Sequence, residues 1–370
     1  MNAPRRVLIA AGGTGGHFYP GLVLAQTLRR RGWQPLMLVR VDDPALPRLE
    51  AAGIPAAALD LQGLDRRPGW GWAAFAWKLA LALRQVGRIL RDFEPRAVVG
   101  MGGYLSFPAA GAAFLRGLPC AVHESNAVLG LANRASVALG AALLRGLPPA
   151  PGEAAGTLTG TPVRPALWSP EDPAAARSRL GLEPDLRTVL VFGGSQGARG
   201  INQAAPAALA QAAAGLPAEV QVLHLAGAKS AAEVRELYHR AGLSEARAQV
   251  LPYLDAMEWG YAAADLVVCR AGASTLAELA GLRKPAILVP YPHAAARHQD
   301  ANAALLAAAG AARIVPEAEL EPRLAAELKA VLASPDALSR MSGAYGALGL
   351  PCGELAVRSL ADAVEEISRR

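Results

Sequence analysis

Short uninterrupted apolar runs alternate along the chain with longer Ala- and Leu-rich stretches of helical character. The runs predict strands at Val7–Ala11, Pro35–Val41, Ala97–Gly100, Ala121–His123, Thr188–Phe192, Gln221–Leu225, Leu266–Cys269 and Ala286–Pro290, each ending in glycine or polar turn residues. A strand without polar alternation must be covered on both faces, so the pattern predicts α/β architecture with parallel sheets between helical layers. The pattern also starts twice. Val7-Leu-Ile-Ala-Ala-Gly-Gly-Thr-Gly-Gly-His17 and Thr188-Val-Leu-Val-Phe-Gly-Gly-Ser-Gln-Gly-Ala198 each read as a strand running through a glycine-rich turn into a helix, the opening unit of a Rossmann-like domain. Proline and glycine crowd 146–152 and 160–165 between them, which places a hinge near 160–166. Domains of this kind bind ligands outside the carboxyl ends of their strands, so the chemistry is expected in the loops that follow the strands.

Composition narrows the class. The 370 residues are 52% hydrophobic and 18% charged, enough for two domains with sizeable cores and inconsistent with a disordered chain. The formal charge of +6 is unevenly distributed: residues 1–160 carry 17 basic and 9 acidic side chains, and 161–370 carry 20 and 22. Only four of the basic residues are lysines (Lys78, Lys229, Lys284, Lys329), so the excess reflects an Arg-, Ala- and Gly-rich composition and no nucleic acid partner is expected. Cys120, Cys269 and Cys352 form neither a disulfide framework nor a metal-ligand pattern, which fits a reducing cytoplasm. The apolar run after Arg6 breaks into glycines after five residues, so no export signal is expected. The apolar stretch 97–115 is interrupted by Gly100, Gly102, Gly103, Ser106 and Pro108, so no transmembrane helix is predicted. There is no Asp-x-Asp; Asp92-Phe-Glu94 comes closest but precedes a strand, so neither a carboxylate-held metal nor another cofactor is expected.

The loops supply several candidate chemistries. Gly12-Gly-Thr-Gly-Gly-His17 offers bare backbone amides and a helix N-terminus to an anion, with His17 placed as a general base; a tight turn with a structural histidine is the alternative. The loop is not GxGxxG, although Asp42 after the second strand stands where a dinucleotide ribose ligand would, which keeps an NAD-dependent enzyme open. Gly193-Gly-Ser-Gln-Gly197 matches GxSxG in a strand-to-helix turn, and Asp265 followed by His293 or His298 leaves a hydrolase open as well. As a phosphate cradle the same loop needs only its amides and the Ser195 hydroxyl. Gly100-Met-Gly-Gly-Tyr104 and the cluster His123, Glu124, Asn126, Asn133 and Arg134 follow two further strands. Their polar groups bind either a ligand or one another. Arg270-Ala-Gly-Ala-Ser-Thr-Leu-Ala-Glu278 puts hydroxyls at a helix start and a carboxylate one turn in, suited to a ribose diol, with helix capping by Ser274 or Thr275 as the alternative. His298-Gln-Asp-Ala-Asn-Ala303 offers groups suited to sugar hydroxyls. A nucleotide-binding module without catalysis stays open at this level.

Taken together and in order, GGTGGHFYP, GMGGYLSFP, HESNAVLGLANR, GTPVRP, GGSQGARGIN, RAGASTLAE and HQDANA cover nearly the whole chain. The set closely resembles the MurG-type UDP-N-acetylglucosamine:N-acetylmuramyl-(pentapeptide) pyrophosphoryl-undecaprenol N-acetylglucosamine transferases of glycosyltransferase family 28. The resemblance implies a GT-B fold, two Rossmann-like parallel-sheet domains facing across an interdomain cleft. It implies an acceptor and membrane-facing domain at 1–161 plus 351–370, through a final helix that returns to it, and a UDP-sugar domain at 162–350. The implied reaction is inverting transfer of N-acetylglucosamine from UDP-N-acetylglucosamine to the 4-hydroxyl of the muramyl sugar of lipid I, giving lipid II. The implied base is His17. Thr14, Gly15, Gly16, Asn126, Arg164, Ser195, Gln196, Leu254, Ala273, Ser274, Thr275, Glu278, His298 and Gln299 are the implied donor-site residues, with Leu254 and Ala273 meeting uracil through backbone and Glu278 the ribose. Gly12, Gly13, Gly102, Gly103, Tyr104, His123 and Glu124 are the implied acceptor and diphosphate loops. Ser125 stands where the family commonly has Gln, and His298 where some members carry Gln.

An acceptor in a bilayer directs attention to 69–91, where Trp70, Trp72, Phe75 and Trp77 lie beside Lys78, Arg84, Arg88 and Arg91. Aromatics suit the headgroup boundary and cations suit anionic lipid. The segment is expected to meet an anionic membrane surface and to hold the protein peripherally on the cytoplasmic face of the inner or plasma membrane. Leu79 and Leu83 belong to the same segment, and burial of its aliphatic stripe against a sheet is the alternative.

Overall fold

The structure, a computed structural model, describes residues 4–12, 15–61, 71–169, 171–216 and 219–369, with only the helical backbone for residues 71–75. Gly13, Thr14 and Trp70, and the side chains of Trp72 and Phe75, therefore lie outside the described residues. The chain divides into two compact units, Met1–Pro165 with Leu350–Arg370, and Ala166–Gly349.

The first unit is built on strands β1 (Arg5–Ala10), β2 (Trp33–Arg40), β3 (Ala56–Leu59), β4 (Ala97–Gly100), β5 (Cys120–Glu124), β6 (Ala142–Arg145) and β7 (Thr157–Leu158). They pair in parallel in the order β3-β2-β1-β4-β5-β6-β7. The second unit has β8 (Arg187–Phe192), β9 (Val220–Leu225), β10 (Ala248–Leu251), β11 (Leu266–Cys269), β12 (Ala286–Leu288) and β13 (Ala312–Ile314), also parallel, in the order β10-β9-β8-β11-β12-β13. Both are doubly wound. The strand order reverses between β1 and β4 and between β8 and β11, and each reversal splays the following loops apart to leave a ligand crevice.

All eight expected strands are present. The five that the apolar pattern misses (β3, β6, β7, β10 and β13) are short, and most lie at or near a sheet edge. An edge strand such as β3 buries one side only, and its Ala-Ala-Ala-Leu composition carries no β-branched signal. The first unit is closed by helix Gly353–Ile367, which buries Ala356, Val357, Leu360, Ala361, Val364 and Ile367 against the core around Val7, Leu24 and Trp33. The Trp33 indole donates to Glu365 at 3.1 Å and Arg31 pairs with Asp362 at 2.6 Å, so polar contacts flank the apolar stripe.

Each unit also encloses a fully buried histidine, His123 at the end of β5 and His224 on β9. Burial pushes both imidazoles below their ordinary value, His224 down to about 3, so both stay neutral in the folded chain. An unfolded imidazole takes its proton near pH 6.5. The contribution of these residues is therefore complete above that pH and is lost as the pH falls toward the folded value. Thermal melts should show stability declining from pH 7 to pH 4.5, more steeply in the wild type than in His224→Gln. Equal declines would refute the assignment.

Candidate functional site

In the first unit, β1, β4 and β5 are neighbours, so the loops at their carboxyl ends meet. Helix Gly15–Arg30 follows β1, and His17 sits in its first turn rather than on the strand. Its Nδ1 lies 3.0 Å from the Met101 carbonyl, directly after β4. A carbonyl only accepts, so Nδ1 carries the hydrogen and Nε2 is the basic nitrogen of the neutral ring. Gly102 and Gly103 (φ +96° and +74°) lay bare backbone against the imidazole; a Cβ on Gly102 would come within 2.8 Å of Nδ1. Glycine is thus required at Gly102 both by backbone conformation and by the ring stacked on it.

His17 lines a cavity of about 470 Å³ together with Gly103, Tyr104, Glu124, Asn126 and Asn133 on a polar side and Leu61, Leu79, Phe107 and Leu131 on an apolar side. Glu124, almost fully buried, organises the polar side. Its Oε1 accepts from the Asn126 backbone N–H (3.0 Å) and Asn126 Nδ2 (3.1 Å), and its Oε2 from the Gly130 N–H (2.9 Å) and Asn133 Nδ2 (2.9 Å). Four donors compensate the desolvated carboxylate and aim Asn126 at the cavity. The Asn133 Oδ1 is buried with no hydrogen-bond partner, so the cavity wall holds an unmet acceptor. His123, expected among the acceptor contacts, is closed off from solvent: its Nε2 lies 2.9 Å from the Gly160 carbonyl and its Nδ1 3.4 Å from Ser125 Oγ. It holds the chain in place instead of touching a ligand. Gly12 is likewise buried, packed against Leu105 and Asp43.

In the second unit the loops after β8, β11, β12 and β13 converge in the same manner. Gly194, Ser195 and Gln196 stand exposed ahead of helix Arg199–Ala213. Helix Ala273–Leu282 has Gly272 at its cap position, so Ser274 and Thr275 lie inside the first turn and the positive end of the helix is beside both hydroxyls. Glu278 accepts from the Tyr261 hydroxyl at 2.7 Å, which orients the carboxylate. Arg270 ties the loops together: it donates to the Val289 and Pro290 carbonyls, pairs with Glu317 at 2.8 Å and stacks over Tyr291. His298 opens helix His298–Ala308 after two left-handed non-glycine residues, Ala296 and Arg297 (φ 48° and 50°). Such backbone strain concentrates at functional loops. The His298 Nδ1 meets the Ala295 carbonyl at 2.8 Å, and Gln299 Oε1 accepts from the Tyr291 N–H at 2.9 Å. Leu254 is half-buried, with its side chain close to Gly260.

The first unit thus assembles His17, Gly103, Tyr104, Glu124 and Asn126, and the second the segments around Ser195, Ala273, Glu278 and His298. Arg164 falls in the first unit, where its guanidinium lies 5.6 Å from the Tyr19 ring centre. Sequence reasoning missed Met101, whose contribution is a backbone carbonyl, and Tyr261, whose partner is distant in sequence. The hydrolase alternative fails on geometry. Asp265 accepts from the Thr188 backbone N–H at 2.7 Å at the start of β8, whereas Ser195 follows the end of that strand, roughly 15–20 Å away. Asp265 is further held by Arg177 at 2.8 Å. Among the described residues no group of three His, Cys, Asp or Glu converges as a metal site.

The chain matches the glycosyltransferase family 28 N-terminal domain over residues 7–142 and the family 28 C-terminal domain over residues 188–357. It is 43% identical over 349 residues to the UDP-N-acetylglucosamine–N-acetylmuramyl-(pentapeptide) pyrophosphoryl-undecaprenol N-acetylglucosamine transferase of Alkalilimnicola ehrlichii, covering 93% of this chain and 95% of that one. The protein of the same name from Bordetella parapertussis is 39% identical, with 100% and 99% covered. The crystal structure of MurG from Acinetobacter baumannii superposes with a TM-score of 0.80 at 29% identity, covering 98% of this chain and all of that one. These matches exclude the NAD-dependent alternative, and the chain belongs to glycosyltransferase family 28.

Proposed function

We propose that this chain transfers N-acetylglucosamine from UDP-N-acetylglucosamine to the 4-hydroxyl of the muramyl sugar of lipid I, with inversion, to give lipid II. The observation that carries the reading is the imidazole of His17, pinned through Nδ1 to the Met101 carbonyl at the wall of a cavity formed by the first unit's post-strand loops. The pinned tautomer makes Nε2 the basic nitrogen of the ring. Nε2 takes the proton of the acceptor hydroxyl as its oxygen attacks the anomeric carbon, and the bond from that carbon to the UDP oxygen breaks on the opposite face. No covalent intermediate forms. Charge building on UDP is met by the amides of the Gly193–Gly197 loop, the start of helix Ala273–Leu282 and the hydroxyls of Ser274 and Thr275. On this reading Gly15 and Gly16 serve the donor site beside the reacting centre, Asn126 meets the transferred sugar, Ser195 and Gln196 line the nucleotide side, and Leu254 and Ala273 meet uracil through their backbones. His298 and Gln299 read the sugar. The first unit is the acceptor domain and the second the donor domain.

The first unit also carries the membrane contact. Trp77 is 68% exposed, Lys78 is exposed, and Leu81, Phe114 and Leu115 are large exposed apolar side chains. A groove beside them is lined by Arg84, Arg88, Arg91 and Arg116. Leu79 and Leu83, of the same segment, are half-buried: Leu79 lines the His17 cavity, and Leu83 packs toward Gly111 while also lining the arginine groove. Helix Gly71–Phe93 thus serves core and surface with different faces. Among the described residues no helix is long and apolar enough to cross a membrane. The exposed aromatics and arginines support peripheral attachment to the anionic cytoplasmic face of the inner or plasma membrane, where lipid I is presented.

The deciding experiment is transfer of labelled sugar from UDP-N-acetylglucosamine to lipid I, and absence of labelled lipid II would overturn the reading. His17→Ala should lower kcat by about 10²–10⁴-fold with little change in donor affinity, as removal of a general base does; unchanged turnover removes His17 from the chemistry. Glu278→Ala should raise the donor KM and spare kcat, and an unaltered KM would refute the ribose contact. Replacing Trp70, Trp72, Phe75 and Trp77 with serine should abolish binding to anionic liposomes, a result that undiminished binding would contradict.

A further inference from the structure

A hydrogen-bonded chain runs through the core of the second unit beneath the Gly193–Gly197 loop. The side chains of Asn202, His224 and Tyr238 are buried and come from three different elements: helix Arg199–Ala213, strand β9 and helix Ala231–Arg240. Asn202 Nδ2 donates to the Ala226 carbonyl at 2.8 Å, so its Oδ1 faces His224 Nε2 at 3.1 Å. His224 Nδ1 lies 3.0 Å from the Tyr238 hydroxyl. Only one direction satisfies every atom. Asn202 Oδ1 requires Nε2–H as its donor, Nδ1 then carries the lone pair, and the tyrosine hydroxyl donates to it.

The far end of this chain is the seat of the loop. Gly197 (φ +76°) has the Ala226 carbonyl where a Cβ would sit, and Asn202 Nδ2 nearby. Gly227 (φ +86°) packs in the same way on the Gln196 carbonyl. The loop backbone therefore rests directly on Ala226–Gly227, and the orientation of the Ala226 carbonyl sets where the loop lies. Apolar side chains of similar volume would fill this space without dehydrating a histidine, an amide and a hydroxyl. What they would lack is direction.

We infer that the Tyr238–His224–Asn202 relay fixes the Gly193–Gly197 loop in the conformation that receives the donor diphosphate, which makes these three side chains positioning residues. The inference rests on the donor-site reading above. A polar bridge restores it and an apolar plug does not: His224→Gln keeps a donor toward Asn202 and an acceptor toward Tyr238, whereas His224→Leu keeps neither.

The test compares both variants and Tyr238→Phe with the wild type by amide hydrogen exchange over Gly194–Ala198 and by calorimetric titration with UDP. His224→Leu should speed exchange in the loop and weaken UDP binding about tenfold. His224→Gln should restore both toward wild type, and Tyr238→Phe, which preserves the ring and carries the test if the leucine variant does not fold, should fall between. Wild-type exchange in His224→Leu or, where that variant is unfolded, in Tyr238→Phe overturns the relay whether or not UDP binds. A glutamine variant no better than leucine overturns it too. A wild-type protein that binds no UDP overturns the donor reading alone, because the exchange data still decide the relay.

Discussion

Everything at the two sites depends on parallel pairing of the strands. A parallel neighbour can be reached only by a crossover, so every strand of a sheet points the same way and all following loops gather at one edge. Where the order reverses, beside β1 and beside β8, successive crossovers leave on opposite faces and the loops part. The two glycine-rich segments follow β1 and β8, the strands at these reversals, and glycine leaves their backbone amides uncovered by side chains. His17, Met101 and Glu124 meet for the same reason: β1, β4 and β5 are neighbours although their residues are far apart in sequence.

A second constraint is the cost of burying polar groups. Glu124 is stripped of water and recovers it through four N–H donors, all but one from residues that the resulting turn itself brings close. His123 and His224 are kept neutral by burial and become rigid connectors, each bridging segments distant in sequence. The same physics separates His17 from them. One ring nitrogen is committed to a carbonyl, but the ring lines a cavity instead of closing into the core. Three histidines after or within parallel strands thus take different roles according to how completely each is enclosed.

The surface of the first unit follows a simpler rule. Helix Gly71–Phe93 buries Ala82, Val86 and Leu90 on one side and leaves Trp77, Lys78, Arg84 and Arg88 on the other. An aromatic that is not needed in the core and stands among arginines is favoured where water meets lipid. The charge excess of the first 160 residues is thereby partly local, since several of its arginines surround one groove.

The sequence by itself determined the doubly wound class, the duplication, the central strands and the glycine-rich and polar loops that follow them, because these follow from local periodicity and from glycine and proline placement. It also singled out His17 and Glu278 as candidates by their position after a strand and within a helix start. Only the tertiary structure decided which nitrogen of His17 is basic, because that depends on a carbonyl 84 positions away. It likewise decided that His123 faces inward, that Ser195 and Asp265 sit at opposite ends of neighbouring strands, and that Leu79 belongs to the cavity. The edge strands became visible only once paired, since short alanine-rich segments have no pattern of their own until a neighbour covers one face. In each case the deciding contact joins residues that chain order keeps apart, and no local signal records such a contact.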